Sequence, residues 1–245
     1  MKNTLSLAFL IQLTLIRPAF SVFEKVSDEA FIPYRDTEAL VSEEPQLSSF
    51  EQQLFDELNL ARTNPQAYIG FLKEHMDSFV NDKEFKEGKI HLATIEGLAV
   101  REETLTFLEA QVPIRHKLTL SKGLTQAARD HVNDQGPKGL TGHYSSDRTA
   151  PDQRANRYGR WLQEFGENIS YTPQDPRGHI LGLIVDDGVK NRGHRYSVYK
   201  PAFRKVGIAC GEHKVYTRMC VIVLAGGYSE RPAGKPGGAV MIEEF

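Results

Sequence analysis

Residues 203–223 read FRKVGIACGEHKVYTRMCVIV and have the pattern of two strands joined by a polar turn. Apolar side chains alternate with others on both sides of the turn, at Val206 and Ile208 before it and at Val221 and Val223 after it. A period of two is typical of strands, and two such runs around a short polar turn predict a β-hairpin.

The chain has two cysteines, Cys210 and Cys220, and each lies in one of these predicted strands. Two cysteines cannot make a disulfide-dense scaffold, so a hydrophobic core must hold the fold together. In an oxidising compartment we expect a disulfide between the strands, which on the loop-entropy model stabilises the fold by about 2–3 kcal/mol. A catalytic cysteine pair is the alternative, although the spacing C-x9-C is not a redox motif.

The first residues indicate an oxidising compartment. Residues 1–21 combine a positive charge at Lys2, an apolar run at Leu5–Ile16, and small residues at Ala19 and Ser21, which is the pattern of a secretory signal peptide. The apolar run is shorter than the roughly 20 residues that a membrane-spanning helix needs. We therefore predict a secreted, extracellular protein with no transmembrane segment after signal cleavage; an uncleaved anchor is the alternative.

The composition of the 245-residue chain excludes several protein classes. It is 40% hydrophobic and 25% charged, as in ordinary globular proteins. Thirty basic against 32 acidic residues give a net charge of −2, without the basic stripe of a dedicated nucleic-acid binder, so no nucleic-acid partner is expected. Phosphate-loop, serine-hydrolase, zinc-protease and EF-hand motifs are missing. The sequence does not indicate an oligomeric state.

The predicted domain begins after an acidic stretch. Residues 22–47 lack sustained periodicity and are interpreted as a leader arm. Ser48 and Glu51 then have the spacing of a capping box, which starts a helix. At the other end, the Gly/Pro-rich residues 229–245 are predicted to be a flexible tail. The domain would accordingly cover residues 48–228, which is enough to bury a sizeable core.

Local signals predict further elements inside this domain. Ser121 and Asp175 are each expected to cap a helix. Another helix is expected near residues 101–110. The charged residues 81–88 are interpreted as a surface excursion, and residues 136–152 as a turn-rich region.

Five polar residues lie just outside the predicted regular elements and could form a site. They are His143, Glu167, Asp186, Asp187 and His194. Loops allow polar groups to converge on a cleft while the scaffold keeps its core. Imidazoles are common ligands of zinc, copper and nickel, and carboxylates can complete the shell or orient a water molecule. The alternative is that these groups hydrogen-bond one another and only stiffen the cleft.

Taken together, these segments resemble the CAP superfamily, the cysteine-rich secretory, antigen 5 and pathogenesis-related group with its SCP-type domain. The markers, in chain order, are LNLAR at 58–62 with NP at 64–65, GH at 142–143, GENI at 166–169, GHR at 193–195, FRKVGI at 203–208 and the cysteine hairpin. The resemblance covers about residues 50–228 and is nearest to a bacterial or protist-like branch. It implies an α+β fold, a three-layer αβα sandwich with a small antiparallel sheet flanked by helices.

The resemblance also implies a central cleft with two histidines and two acids, where several members of the family bind a divalent metal. By position, His143 and His194 match the histidines and are the expected metal ligands, with zinc as the preferred ion. Glu167 matches the first acid, and for the second we favour Asp187 over Asp186. Some branches bind sterols or other lipids, and most members have no established enzymatic activity.

These expectations define one main function and two alternatives. The main one is a secreted, non-enzymatic module that binds a small amphiphile such as a sterol or fatty acid. The first alternative is a metal-dependent hydrolase in which Glu167 is the general base and His143 and His194 hold the metal. The second is a structural or defence-related interaction protein with a vestigial cleft.

Residues beside the expected cleft each have two interpretations. Asn168 begins Asn-Ile-Ser, a formal N-glycosylation acceptor. The resemblance places it next to the cleft, where its amide is expected to pair with backbone groups instead. Arg192 and Arg195 could contact an anionic headgroup, or they could pair with Asp186 and Asp187.

Overall fold

A computed structural model describes residues 45–232, and every structural statement below concerns that part of the chain. The predicted signal peptide at residues 1–21, the leader arm up to residue 44 and residues 233–245 of the predicted tail lie outside it. No helix in the described part is long and apolar enough to cross a membrane.

Seven helices and seven strands are present between residues 45 and 232. The helices are α1 (Ser49–Thr63), α2 (Pro65–Asp77), α3 (Leu98–Ala110), α4 (Lys122–Gln135), α5 (Pro151–Asn156), α6 (Pro176–Val185) and α7 (Gly193–Val198). The strands are β1 (Phe79–Asn81), β2 (Glu84–Glu87), β3 (Ile90–Ala93), β4 (Thr119–Leu120), β5 (Gly159–Tyr171), β6 (Lys205–His213) and β7 (Thr217–Glu230).

A four-stranded mixed sheet, in the order β4-β6-β7-β5, forms the middle layer. Strands β6 and β7 pair antiparallel, which confirms the predicted hairpin. Cys210 and Cys220 lie directly opposite each other in this pairing and are joined by a disulfide, also as predicted. Strand β5 pairs antiparallel with β7 and forms one edge of the sheet.

Helices cover both faces of this sheet, and alternate side chains of β7 therefore enter two different cores. Val221 and Val223 pack with α4 residues such as Leu124 on one face. Ile222 and Leu224 point to the other face, into a core that they share with residues of α1, α6 and the segment around α7. The three layers, together with the small antiparallel sheet β1-β2-β3, confirm the predicted α+β fold.

Local capping signals position the helices as the sequence predicts. The Ser48 hydroxyl accepts a hydrogen bond from the Glu51 backbone amide, and the Glu51 carboxylate accepts one from the Ser48 amide at 2.8 Å. The buried Glu51 carboxylate also accepts from the Cys210 amide at 2.9 Å, which ties α1 to the hairpin. Ser121 and Asp175 cap α4 and α6, where their side chains accept hydrogen bonds from the backbone amides of Leu124 and Gly178.

A glycine in β6 sets the distance between α4 and the sheet. A Cβ atom at Gly207 would lie 2.0 Å from the carbonyl carbon of Leu124, so no other residue fits at this position. The close approach lets the α4 side chains fill the core on this face.

Two expectations about segment bounds were wrong, and a third needs a refinement. The charged residues 81–88 are largely exposed, as the surface excursion predicts, but they contain parts of β1 and β2, anchored by the buried ring of Phe85. The turn-rich region is interrupted at Pro151, where α5 begins. The predicted tail starts too early, since β7 continues to Glu230, whose carboxylate accepts hydrogen bonds from the Ser121 hydroxyl and the Gly123 amide.

Strand β5 is one of the elements that local patterning did not predict. Its sequence, GRWLQEFGENISY, contains two glycines and several polar residues, and no residue of its first half is fully buried. The register shifts between Leu162 and Phe165, and Gln163 adopts a positive φ of 65°, so the strand carries a bulge there. From Phe165 to Tyr171 the pairing with β7 is regular, and this stretch contains the GENI motif.

Candidate functional site

A cleft of about 810 Å³ lies beside the edge of the central sheet. Residues 165–168 of β5 form one wall, and residues from Val189 to Phe203, around α7, form the other. His143, in the turn region before α5, and His194, in the first turn of α7, both line this cleft. The structure thus brings the two predicted histidines to one cavity from distant parts of the chain.

The first histidine is held by Glu167. The Nδ1 atom of His143 lies 2.9 Å from Oε1 of Glu167. The other carboxylate oxygen, Oε2, accepts a hydrogen bond from Nη2 of Arg154 at 2.6 Å. The side chains of Glu167 and Arg154 are only 2% and 1% exposed, so this is a buried ion pair.

Arg154 connects the acid to the loop that carries the histidine. Its Nη1 atom donates to the carbonyl oxygens of His143 at 3.0 Å and Thr149 at 3.1 Å, and to the Ser145 hydroxyl. The sequence analysis missed this residue, because in the segment PDQRANR it has the appearance of one more surface charge. The only local signal was Pro151, which favours the first position of a helix and could have predicted α5.

The second histidine is held by Asp186. The Nδ1 atom of His194 lies 2.7 Å from Oδ1 of Asp186, and the His194 backbone amide donates to Oδ2 at 2.9 Å. Asp186 follows the last residue of α6 in a left-handed conformation, with φ 57° and ψ 44°. Its carboxylate thereby reaches the amino-terminal end of α7, where the exposed backbone amides favour a negative charge.

The preference for Asp187 as the second acid was wrong. The Asp187 carboxylate instead accepts hydrogen bonds from the backbone amides of Ile95 at 3.0 Å and Glu96 at 2.6 Å, which fixes the connection between β3 and α3. The left-handed turn at Asp186 directs the two neighbouring carboxylates to different parts of the molecule. No local pattern in the sequence distinguishes them.

The two arginines near His194 pair with glutamates of another segment. Arg192 forms a two-bonded ion pair with Glu96, at 2.6 and 2.8 Å, and also contacts Glu103. Arg195 is buried and donates to Glu103 at 2.7 Å and to backbone carbonyls at the end of α6. Pairing with the two aspartates was therefore the wrong expectation, and neither guanidinium is free to contact an anionic headgroup.

Both cleft histidines present the same ring nitrogen to the cavity. Each uses Nδ1 for its carboxylate, and within residues 45–232 no group hydrogen-bonds to Nε2 of His143 or His194. A neutral imidazole whose Nδ1–H is held by a carboxylate is the usual arrangement of a metal-binding histidine. Over the same residues, however, no group of three or more His, Cys, Asp or Glu side chains is arranged to hold a metal ion. The cleft therefore offers two nitrogen ligands at most.

Glu167 is poorly placed for the role of a general base. One oxygen is engaged by His143 and the other by Arg154, and the side chain is almost wholly buried. A base must lie within hydrogen-bonding reach of the proton that it removes. This carboxylate serves instead to orient His143.

Two buried polar side chains that border the cleft each have an atom without a hydrogen-bond partner. Asn168 is 2% exposed, and its Nδ2 atom has no partner in the described part of the chain, contrary to the expected pairing with backbone groups. Its burial also makes Asn168 inaccessible to glycosylation in the folded domain. The hydroxyl of Tyr199, 5% exposed, is likewise without a partner there, and burial raises the pKa of this phenol. Sequence analysis did not identify Tyr199.

Comparison with known proteins finds one family whose model matches part of the chain. The model of the family described as "CAP: Cysteine-rich secretory protein family" matches residues 115–224, a range that contains His143, Glu167, His194 and the disulfide. Among curated proteins, none matches the chain.

Two solved structures are similar to the chain at low identity. One is an extracellular protein containing an SCP domain from Bacillus anthracis str. Ames, with 18% identity over 45% of this chain and 34% of that chain, and a TM-score of 0.36. The other is an outer surface protein from Borrelia burgdorferi, with 14% identity over 55% of this chain and 91% of that chain, and a TM-score of 0.39. The chain thus spans about a third of the length of the Bacillus protein.

Proposed function

We propose that the chain, whose residues 115–224 match the CAP family model, is a member of the CAP superfamily and a secreted module that binds a ligand in its central cleft without turning it over. The observation that carries this proposal is the pair of histidine–carboxylate contacts, His143 with Glu167 and His194 with Asp186, that face one cavity. Export is supported by the signal-peptide pattern of residues 1–21.

The hydrogen bonds of the two cleft acids, Glu167 and Asp186, support the absence of turnover. Glu167 and Asp186 are each engaged through both carboxylate oxygens, Glu167 by His143 and Arg154, and Asp186 by the His194 ring and backbone amide. Such acids orient imidazoles and do not exchange protons readily with a substrate. The alternative of a hydrolase with Glu167 as general base has no support in this arrangement.

A divalent metal, preferably zinc, is part of the proposal. His143 and His194 would hold it through Nε2, and water or a ligand atom would complete the coordination, because two imidazoles are fewer than a dedicated zinc site uses. The bound ion would supply a Lewis-acidic centre for an oxygen atom of the ligand. The buried carboxylates behind each ring are the groups that strengthen such imidazole ligands.

A zinc titration followed by thermal unfolding tests this proposal. The mature chain is compared with the double variant His143→Ala/His194→Ala, and with His91→Ala, an exposed histidine outside the cleft, as control. Zinc at about 100 times its dissociation constant should stabilise the mature chain and the control by about 2.7 kcal/mol. The double variant should show no such stabilisation. If no divalent metal stabilises the mature chain, or if the double variant responds equally, the metal site is wrong.

The family resemblance implies an amphiphilic ligand, and we also propose where its apolar part would bind. A second cavity of about 400 Å³ adjoins the cleft through His194 and Val189, and is lined by apolar side chains that include Phe85, Leu92 and Leu181. We propose that the apolar part of a fatty acid or sterol occupies this cavity. Burial of apolar surface would drive its binding.

Displacement of a fluorescent fatty acid measures this binding directly. The substitution Ala93→Trp would fill the cavity from an exposed position on β3 and should weaken binding. Val112→Trp, at an exposed site outside both cavities, is the matched control and should leave binding unchanged. Equal affinity of the two variants would show that the amphiphile does not bind there.

A further inference from the structure

A further cavity, of about 450 Å³, adjoins the cleft where the start of α5 faces β5. Its volume lies in the range of pockets that hold small ligands. The cavity is lined by His143, Pro151, Asp152, Trp161, Phe165 and Glu167. The metal and the amphiphile of the proposed function are assigned to other cavities, so this lining has no role yet.

Two aromatic rings meet in this cavity across the bulge of β5. The ring centroids of Trp161 and Phe165 are 5.6 Å apart, and the ring planes are inclined by 42°. In a regular strand, residues four positions apart are separated by about 13 Å along the strand. From Leu162 to Phe165, however, β5 advances three residues while β7 advances two, and this extra residue shortens the strand. Bulges of this kind re-aim side chains and are frequent next to functional sites.

The two rings form one continuous aromatic surface. Both are half-buried, so each keeps part of its surface accessible. At 5.6 Å the rings of Trp161 and Phe165 are too close to enclose a group between them. A cation centred over both can instead lie within about 6 Å of each centroid, which is the range of cation–π attraction.

The carboxylate that lines the same cavity lacks a counter-ion. Asp152 is half-buried, and its side chain forms neither an ion pair nor a hydrogen bond with any group of residues 45–232. The arginines that follow it pair with other acids, Arg154 with Glu167 and Arg157 with Asp130. Because Arg154 neutralises Glu167, Asp152 is the acid of this lining whose charge is uncompensated. A bound cation would supply the missing charge.

The lining suits a methylated cation better than a primary ammonium. A primary ammonium group has three N–H donors, each of which needs an acceptor. Aromatic faces and a proline ring do not provide such acceptors, and Asp152 alone cannot satisfy all three donors. A trimethylammonium group has no N–H, and its methyl groups can contact Pro151 and the two rings while its charge is attracted to the ring faces.

We propose that this cavity, termed the cation pocket, binds a trimethylammonium group, as found in free choline or in the phosphocholine headgroup of a lipid. The rings of Trp161 and Phe165 bind the methylated cation, and the Asp152 carboxylate balances its charge. Binding in the cation pocket requires no metal, so this inference can succeed or fail independently of the zinc site.

Trp161 is the only tryptophan of the chain, so its fluorescence reports directly on the cation pocket. Choline is titrated into the mature chain in the presence of a metal chelator, with sodium chloride at equal ionic strength as the blank. The matched probe is dimethylbutanol, the uncharged isostere of choline with carbon in place of the quaternary nitrogen. We expect a saturable change with choline, and an affinity about tenfold higher for choline than for dimethylbutanol.

A charge-removing substitution tests the role of Asp152. Asp152→Asn should weaken choline binding about fivefold and leave dimethylbutanol binding unchanged, because only choline carries a charge. Asp82→Asn is the matched control, since it removes an exposed carboxylate between β1 and β2 and changes the net charge equally. This control should bind choline as the unmodified chain does.

A second substitution tests the aromatic surface. Phe165→Leu keeps an apolar side chain but removes one ring, so it should weaken choline binding about fivefold and weaken dimethylbutanol binding less. Phe55→Leu, at a half-buried position of α1 outside the pocket, is the control and should leave both affinities unchanged. Thermal unfolding of each variant verifies that it is folded.

Vesicle sedimentation identifies the source of the trimethylammonium group. If phosphatidylcholine vesicles bind the chain, phosphatidylglycerol vesicles do not, and excess choline prevents the binding, the pocket takes a lipid headgroup. If choline binds and neither vesicle does, the pocket takes a free solute. Both results support the inference.

Three results would overturn it. The cation pocket is wrong if choline causes no saturable change in Trp161 fluorescence beyond that of sodium chloride. It is also wrong if dimethylbutanol binds as tightly as choline, since the charge would then contribute nothing. Equal choline affinity of Asp152→Asn and Asp82→Asn would show that the cation does not lie beside Asp152.

Discussion

Replacing Arg154 by leucine is predicted to destabilise the domain strongly. The guanidinium is 1% exposed and is the cation that neutralises the buried Glu167 carboxylate, at 2.6 Å. Removing one partner of a buried ion pair leaves the other charge uncompensated and costs about 3–5 kcal/mol. The two backbone carbonyls that Arg154 holds, those of His143 and Thr149, would lose a donor as well.

A double-mutant cycle separates the ion pair from the other contacts of Arg154. Glu167→Gln removes the charge that Arg154 neutralises, so the double variant Arg154→Leu/Glu167→Gln should recover part of the lost stability. Urea unfolding at pH 7 gives the four free energies that the cycle needs. Arg157→Leu is the control, because its ion pair with Asp130 is largely exposed and should contribute less than about 1 kcal/mol.

The result that would refute this reasoning is specific. If Arg154→Leu costs no more than Arg157→Leu, then Glu167 does not carry a buried charge that depends on Arg154. If the double variant is as unstable as the sum of the single variants, the two side chains do not interact. Either result would remove the basis for assigning Glu167 and Arg154 to the positioning of His143.

Three further predictions concern the disulfide, the pH dependence and the second acid. Replacing Cys210 and Cys220 by alanine should lower the free energy of unfolding by about 2–3 kcal/mol, measured in urea, and a reducing agent should then have no further effect. Burial, with a smaller contribution from the charge of Arg218, lowers the pKa of His179 to about 4 from 6.5. As the pH falls below 6.5, this histidine is protonated in the unfolded chain before it is protonated in the folded one, so about 3 kcal/mol of stability should be lost by pH 4. In urea unfolding at a series of pH values, the free energy of unfolding of His179→Gln should decline less steeply. Asp186→Asn should weaken zinc binding about 10- to 100-fold in calorimetry, whereas Asp187→Asn should leave it unchanged.

Elements with a complete local signal were predictable from the sequence. The capping box at Ser48 and Glu51 needs only four consecutive residues, and the structure shows both of its hydrogen bonds. The hairpin around residues 203–223 was predictable because its apolar alternation, polar turn and paired cysteines all favour the same structure. Helix α6 was predictable from its cap residue, Asp175, and from the proline at its first helical position.

The parts that the sequence did not reveal depend on contacts between distant segments. Strand β5 is rich in polar residues because part of it faces the cleft rather than a core, so its sequence lacks the usual apolar alternation. Arg154 has a role only because α5 packs against β5 and brings it to Glu167. The choice between Asp186 and Asp187 depends on one left-handed residue at the end of α6, which changes the direction of the following side chain.

The polar side chains around the cleft divide into those that have hydrogen-bond partners and two that have an unpartnered atom in the described part of the chain. His143 and His194 are each held by a buried acid, and each acid is held in turn by Arg154 or by the backbone at the start of α7. Groups fixed in this way have a structural explanation for their burial even when the cleft is empty. Asn168 and Tyr199 have none in the described part of the chain, although they line the same cavity. Both of these polar atoms are closed off from solvent, whereas the side chains of His143 and His194 are 46% and 27% exposed, so a ligand in the cleft would contact the histidines and not these two groups.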